Sequence, residues 1–115
     1  MDHVCIALPI LPGKTADARA FQKDLDTTRK AEYTVSEGRL GIPREYWYIA
    51  ELPTGDVLIG VFDTPDAGAT IGQFVQSQDS FDLWFKDQLR LATGVDLNNP
   101  PADMKLPELV STFEA

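Results

Sequence analysis

The sequence predicts an α+β protein with one antiparallel sheet and helices packed on one of its faces. Three observations carry that expectation. A hairpin pattern runs from Tyr46 to Phe62, with aromatic and β-branched residues in both arms and Pro53-Thr54-Gly55-Asp56 between them. Apolar residues recur at helical spacing on either side of it, from Thr15 to Glu37 and from Pro65 to Gly94. A short alternating segment stands near each end of the chain, Val4 to Leu8 and Glu108 to Phe113.

With 115 residues, the chain is expected to form a single domain, 1–115. An apolar fraction of 43% supplies a core without metals or disulfides. The net charge of −8 repels phosphate backbones and anionic membrane surfaces, so neither nucleic acid nor a membrane is an expected partner. The lone cysteine, Cys5, leaves no internal disulfide and fits a reducing cytoplasm. Met1-Asp2-His3-Val4 lacks the basic start of a signal peptide, and no apolar run reaches the ~20 residues of a membrane helix.

Taken in order, Val4, Ile6 and Leu8 share one face of the first strand, and His3, Cys5 and Ala7 share the other. Pro9 and Pro12-Gly13 end it. Thr15 is the expected N-cap of a helical stretch containing Ala18, Phe21, Gln22 and Leu25. Asp26-Thr27-Thr28 interrupts the pattern, so 15–37 reads as one bent helix or two short ones, ended by Gly38. In the hairpin, a four-residue loop sets Leu52 opposite Val57 and Tyr48 opposite Val61. Trp47, Ile49, Leu58, Gly60 and Phe62 then face the helices, with Gly60 allowing a helix to approach, and Tyr46 and Tyr48 fall on the open face. Asp63 or Thr64 is expected to cap the next helix, with Ala67, Ile71, Phe74 and Val75 inward. Asp79 caps a last helix carrying Phe81, Trp84, Phe85, Gln88, Leu91 and Ala92, and Gly94 ends it. Glu108 to Phe113 completes the count as a fourth strand.

Strand, helix, strand, strand, helix, strand is the ferredoxin-like βαββαβ order, with a four-stranded antiparallel sheet. Right-handed crossovers put the first and third strands in the middle. Three passages resemble the dimeric α+β barrel group, in a small bacterial branch. They are Tyr33-Thr-Val-Ser-Glu-Gly-Arg-Leu-Gly-Ile42, Pro53-Thr-Gly-Asp56, and Ser77-Gln-Asp-Ser-Phe-Asp-Leu-Trp-Phe85 with Gly94-Val-Asp-Leu97. The resemblance implies two such sheets facing each other in a homodimer. The group includes cofactor-free monooxygenases, haem-degrading proteins, muconolactone isomerases and stress-related proteins. Their catalytic residues differ from branch to branch, and none carries over to this chain.

Among the residues themselves, His3 is the candidate general base, since an imidazole titrates near neutral pH. The plain alternative is a histidine on a sheet surface. Tyr46 and Tyr48 suit either a ligand pocket or a dimer interface. Arg39 and Arg44 flank the entry to their strand and are candidates to clamp an anion. Cys5 reads as an inert thiol, Trp84 and Phe85 as core, and Asp79 and Asp82 as helix-start charges. One histidine, one cysteine and scattered carboxylates make no metal-ligand set, and no G-x-G-x-x-G or P-loop calls for a cofactor. The expected function is therefore a homodimeric small-ligand binding or accessory protein. The alternative is a cofactor-independent monooxygenase or isomerase of a small hydrophobic acid or phenol, working between sheet and helices or between subunits.

Overall fold

The hairpin supplies two of the three strands in the computed structural model, which describes residues 1–115. β2 (Arg44–Leu52) and β3 (Gly55–Thr64) pair antiparallel, and β1 (Asp2–Pro9) pairs antiparallel with the other side of β3. The sheet order is β1-β3-β2. Leu52 lies opposite Gly55, so Pro53-Thr54 alone turn the chain where a four-residue loop was expected. Gly55 permits this with φ at +134°, a region closed to most side chains. The register slides by two residues, an even number, so every side chain keeps its expected face. Val4, Leu8 and Leu58 are buried under the helices, whereas Tyr46 and Tyr48 are 56% and 58% exposed on the open face.

Gly60 has a different purpose from the one expected. A Cβ built there would stand 2.7 Å from the indole of Trp47, its partner across the ladder. The glycine makes room for the Trp47 ring, whose atoms are the nearest to that position.

The first helical stretch is two helices, α1 (Thr15–Asp26) and α2 (Lys30–Leu40). Between them the Thr27 hydroxyl bonds back to the Lys23 carbonyl at 2.8 Å. Thr15 is the first helical residue and does not cap; its hydroxyl donates instead to Asp56 at 2.6 Å. Gly41, with φ at +75°, ends α2, and Gly38 lies within it. Asp66 caps α3 (Ala67–Gln76) by accepting from the Ala69 amide, the place expected for Asp63 or Thr64. Asp79 caps α4 (Ser80–Thr93) by accepting from the amides of Phe81 and Asp82, and Gly94 ends it. Phe21, Leu25, Phe81, Phe85 and Leu89 form the centre of the core. Leu91, expected inward, is 45% exposed, because the buried stripe of α4 runs through Phe85, Leu89 and Ala92. Trp84 is half-buried, edge-on to Phe21 and covered by the Arg29 guanidinium at 4.4 Å. No helix is long and apolar enough to cross a membrane.

The expected fourth strand is absent, and the sheet has three strands. After α4 the chain crosses the gap between helices and sheet: Leu97 is buried there, and Pro100, Pro101, Met104 and Leu106 line the space beneath. The alternating segment that follows finds no backbone partner. Leu109, Val110 and Phe113 are 62%, 82% and 89% exposed, and the outer edge of β1 is unpaired.

Gly60→Ala is expected to destabilise the fold by ~1–3 kcal/mol, the usual range for overpacking, because the Trp47 ring must leave its seat. Chemical denaturation followed by tryptophan fluorescence measures it; an unchanged midpoint would show that the ring has room to spare.

Candidate functional site

Strand alternation and one turn of helix build the site. On β2, Glu45 has the same parity as Trp47 and so points beneath the helices. On α2, Tyr33 and Glu37 stand four residues apart and share a face. The Tyr33 hydroxyl donates to Oε2 of Glu45, and Trp47 Nε1 donates to the same oxygen at 3.0 Å. No protein group donates to the buried Oε2 of Glu37. The two carboxyls border a cavity of about 260 Å³ between sheet and helices. Fifteen of its twenty-one lining residues are hydrophobic, among them Trp47, Phe74, Phe81 and Phe85, and the crossing segment with Pro100, Pro101 and Met104 forms one wall.

Burial sets the charge at this end of the cavity. It pushes the Glu37 carboxyl up to about 9, helped by the neighbouring Glu45 charge, a hydrogen bond to Glu45, and the more distant Asp82. Burial also raises Glu45, although bonds from Tyr33, Trp47 and Glu37 oppose the rise. Tyr33 is held well above the ordinary phenol range, first by burial and then by the Glu45 charge. The physical picture is one proton held by two desolvated carboxyls, with Glu37 the acid and Glu45 the partner that the hydrogen-bond donors reach.

A second polar group fixes this arrangement from behind. Asp82 is fully buried and accepts from Ser36 Oγ at 2.6 Å, Ser77 Oγ at 2.5 Å and Arg39 Nη1 at 2.8 Å. Burial alone would raise its carboxyl, but these bonds prevail and hold it below the usual range. Lys86, one turn on and equally buried, donates to the carbonyls of Phe74, Val75 and Ser77, and burial lowers it.

The residues singled out from the sequence fall in three places. Arg39 is engaged by Asp82 and reaches toward Asp79 at 3.6 Å, so its guanidinium braces α2 against α4. His3, Arg44 and Tyr46 do come together, on the open face, around a shallow pocket of about 230 Å³ that also includes Cys5, Asp63 and Pro107–Leu109. There, His3 Nδ1 meets Asp63 at 2.5 Å. Tyr48 lies outside that pocket. None of the five lines the cavity between sheet and helices. No group of three His, Cys, Asp or Glu side chains is placed to hold a metal ion. Sequence reasoning missed Tyr33, Glu37 and Glu45. The available signal was Glu45, a charge on the strand face that Trp47 and Ile49 mark as buried.

Replacing Glu37 by Gln tests the raised acid. Its carboxyl titrates higher in the folded chain, about 9, than its ordinary 4.5, so the unfolded chain binds fewer protons in between. The contribution of Glu37 to stability is full below 4.5 and is lost as the pH rises toward 9. Glu37→Gln keeps a hydrogen-bond donor beside Glu45 without titrating. The melting temperature of the variant relative to wild type is therefore expected to climb across that window. A difference that stays flat with pH would place the Glu37 carboxyl in water.

No family model matches the chain, and no curated protein does. Among solved structures, tetracenomycin F2 cyclase from Streptomyces glaucescens, a type-II polyketide cyclase, superposes with a TM-score of 0.61. The match covers 100% of this chain and 99% of that one at 12% sequence identity. At that identity the likeness concerns the fold alone, an antiparallel sheet with helices packed against it.

Proposed function

We propose that the protein binds a small, largely apolar, ring-bearing molecule in the cavity between its sheet and its helices. The observation that carries this reading is the cavity itself: aromatic walls, a single polar end, and a size suited to one or two rings. Sharing its fold with a polyketide cyclase agrees with a ligand built on a carbon-ring skeleton. The lone Cys5 suits a reducing, cytoplasmic setting.

A specific observation favours a second reading, cofactor-independent acid–base catalysis. Glu37 and Glu45 border one cavity, both are raised by burial, and a hydrogen bond joins them, so the pair can hold a proton beside a substrate at neutral pH. His3, which Asp63 holds on the open face, is the other candidate base. If the carboxyl pair turns over a phenol or other hydrophobic substrate, Glu45→Gln lowers the rate by ~10²–10⁴-fold and His3→Gln leaves it alone. The opposite ranking would move the chemistry to the open face.

The binding reading is tested by a thermal-shift screen of one- and two-ring compounds. At least one is expected to raise the melting temperature of wild type and to change the fluorescence of Trp47. Ile71→Phe, which fills the cavity from α3, should remove both effects while the variant still melts cooperatively. A screen in which no ring compound shifts wild type would refute it.

The homodimer belongs to the same proposal. Tyr46, Tyr48, Ile59 and Val61 leave the open face of the sheet apolar, and such patches are usually covered. Sedimentation at micromolar concentration is expected to give twice 12.7 kDa, and a single species at 12.7 kDa would contradict it.

A further inference from the structure

The polar end of the cavity lacks a positive charge. Two carboxyls border it, and no lysine, arginine or histidine is among its twenty-one lining residues. Two nearby cations are otherwise engaged: Arg39 by Asp82, and Lys86 by three backbone carbonyls. Lys30 and Arg44 line a shallower cleft on the outer side of the pair, which Glu37 and Glu45 also border, and form no ion pair with either carboxyl. From α4, Asp82 adds further negative charge. Tyr33 and Trp47 both donate to one oxygen of Glu45. Oε2 of Glu37 is left buried without a donor.

We infer that the ligand is an organic amine bound as its ammonium ion, its N–H groups on Glu37 and Glu45 and its apolar body against Trp47, Phe74, Phe81 and Phe85. The inference rests on the cavity-binding reading above and adds the ligand's chemical class. Each part of the site has a counterpart in such a molecule. The ammonium provides donors for Oε2 of Glu37, which the protein leaves unsatisfied. Aromatic faces attract a cation as well as a ring. A carboxylate ligand would have to be buried beside two carboxyls with no cation to meet it, an arrangement the desolvation penalty forbids. The chain's net charge of −8 draws cations toward it from solution.

The proton balance follows directly. In the empty site, Glu37 keeps a proton at neutral pH. An arriving ammonium brings the positive charge that this proton supplied, so Glu37 ionises and its proton passes to solvent. Binding is therefore coupled to proton release, with no bond to carbon made or broken.

Calorimetry with three probes of matched shape decides the matter: phenethylamine, 2-phenylethanol and 3-phenylpropionate. The amine is expected to bind wild type at least about tenfold more tightly than the alcohol, as charge-assisted hydrogen bonds require. The propionate should bind most weakly. Heats measured in two buffers of different ionisation enthalpy should show proton release with the amine and none with the alcohol. Glu37→Gln should retain the alcohol and lose both the preference for the amine and the proton release. If that variant fails to fold, proton release by wild type decides alone. Alcohol or propionate binding as tightly as the amine would overturn the assignment of ligand class while leaving the cavity reading in place. So would amine binding without proton release. Failure of all three to bind wild type would remove the cavity reading and this inference together.

Discussion

The structure depends first on a carboxylate that never meets water. Asp82 joins three helices at one point, taking Ser36 and Arg39 from α2 and Ser77 from the end of α3 while standing on α4. One turn later, Lys86 gathers the last carbonyls of α3, groups that a helix end leaves without partners. Buried charges of this kind contribute less through their attraction than through the cost of breaking them, because a single survivor would be stranded in an apolar medium. The helices are thus tied to one another by polar contacts near their ends.

That manner of tying explains why there is a cavity. α3 buries a single residue, Thr70, and its apolar side chains Ile71, Phe74 and Val75 line the cavity. A helix held by its carbonyls does not need to settle onto the sheet. The sheet contributes its own part through Gly60, which makes room for the Trp47 ring, and that ring brings its N–H to Glu45. Cavity shape and carboxyl placement therefore share two supports, the Asp82 junction above and the Trp47–Gly60 contact below.

Much of this was legible in the sequence, for reasons that differ by element. The faces of the hairpin survived a two-residue error in the turn because an even change in loop length leaves the parity of the pairing intact. Asp79 and Gly94 could be read as helix ends because their chemistry is local. The fourth strand could not be judged, since alternation from Glu108 to Phe113 says nothing about whether a partner edge is within reach. Arg39 and Arg44 lie five residues apart in sequence, yet one enters a buried junction and the other the sheet surface, because α2 ends between them. Glu45 was readable from its alternation with Trp47. Glu37 was not, because the rotation of α2 about its axis is set by the break at Thr27–Arg29, which the residue pattern left open as a bend or a gap.

The segment that walls the cavity has a kinetic consequence. Beyond α4 it is held by few backbone bonds, Asn99 to Asp96 and Met104 to Pro101 among them, and by apolar side chains laid over the opening. Its opening breaks none of the ladders or helices and so requires far less free energy than global unfolding. For a molecule held in the cavity as proposed, the time inside would be governed by this strap, whereas the lifetime of the fold is governed by α4 and the sheet. Substitutions at Pro100, which lines the cavity outside the core cluster, would shorten such occupancy with little effect on the fold, so exchange rate and thermal resistance can vary separately.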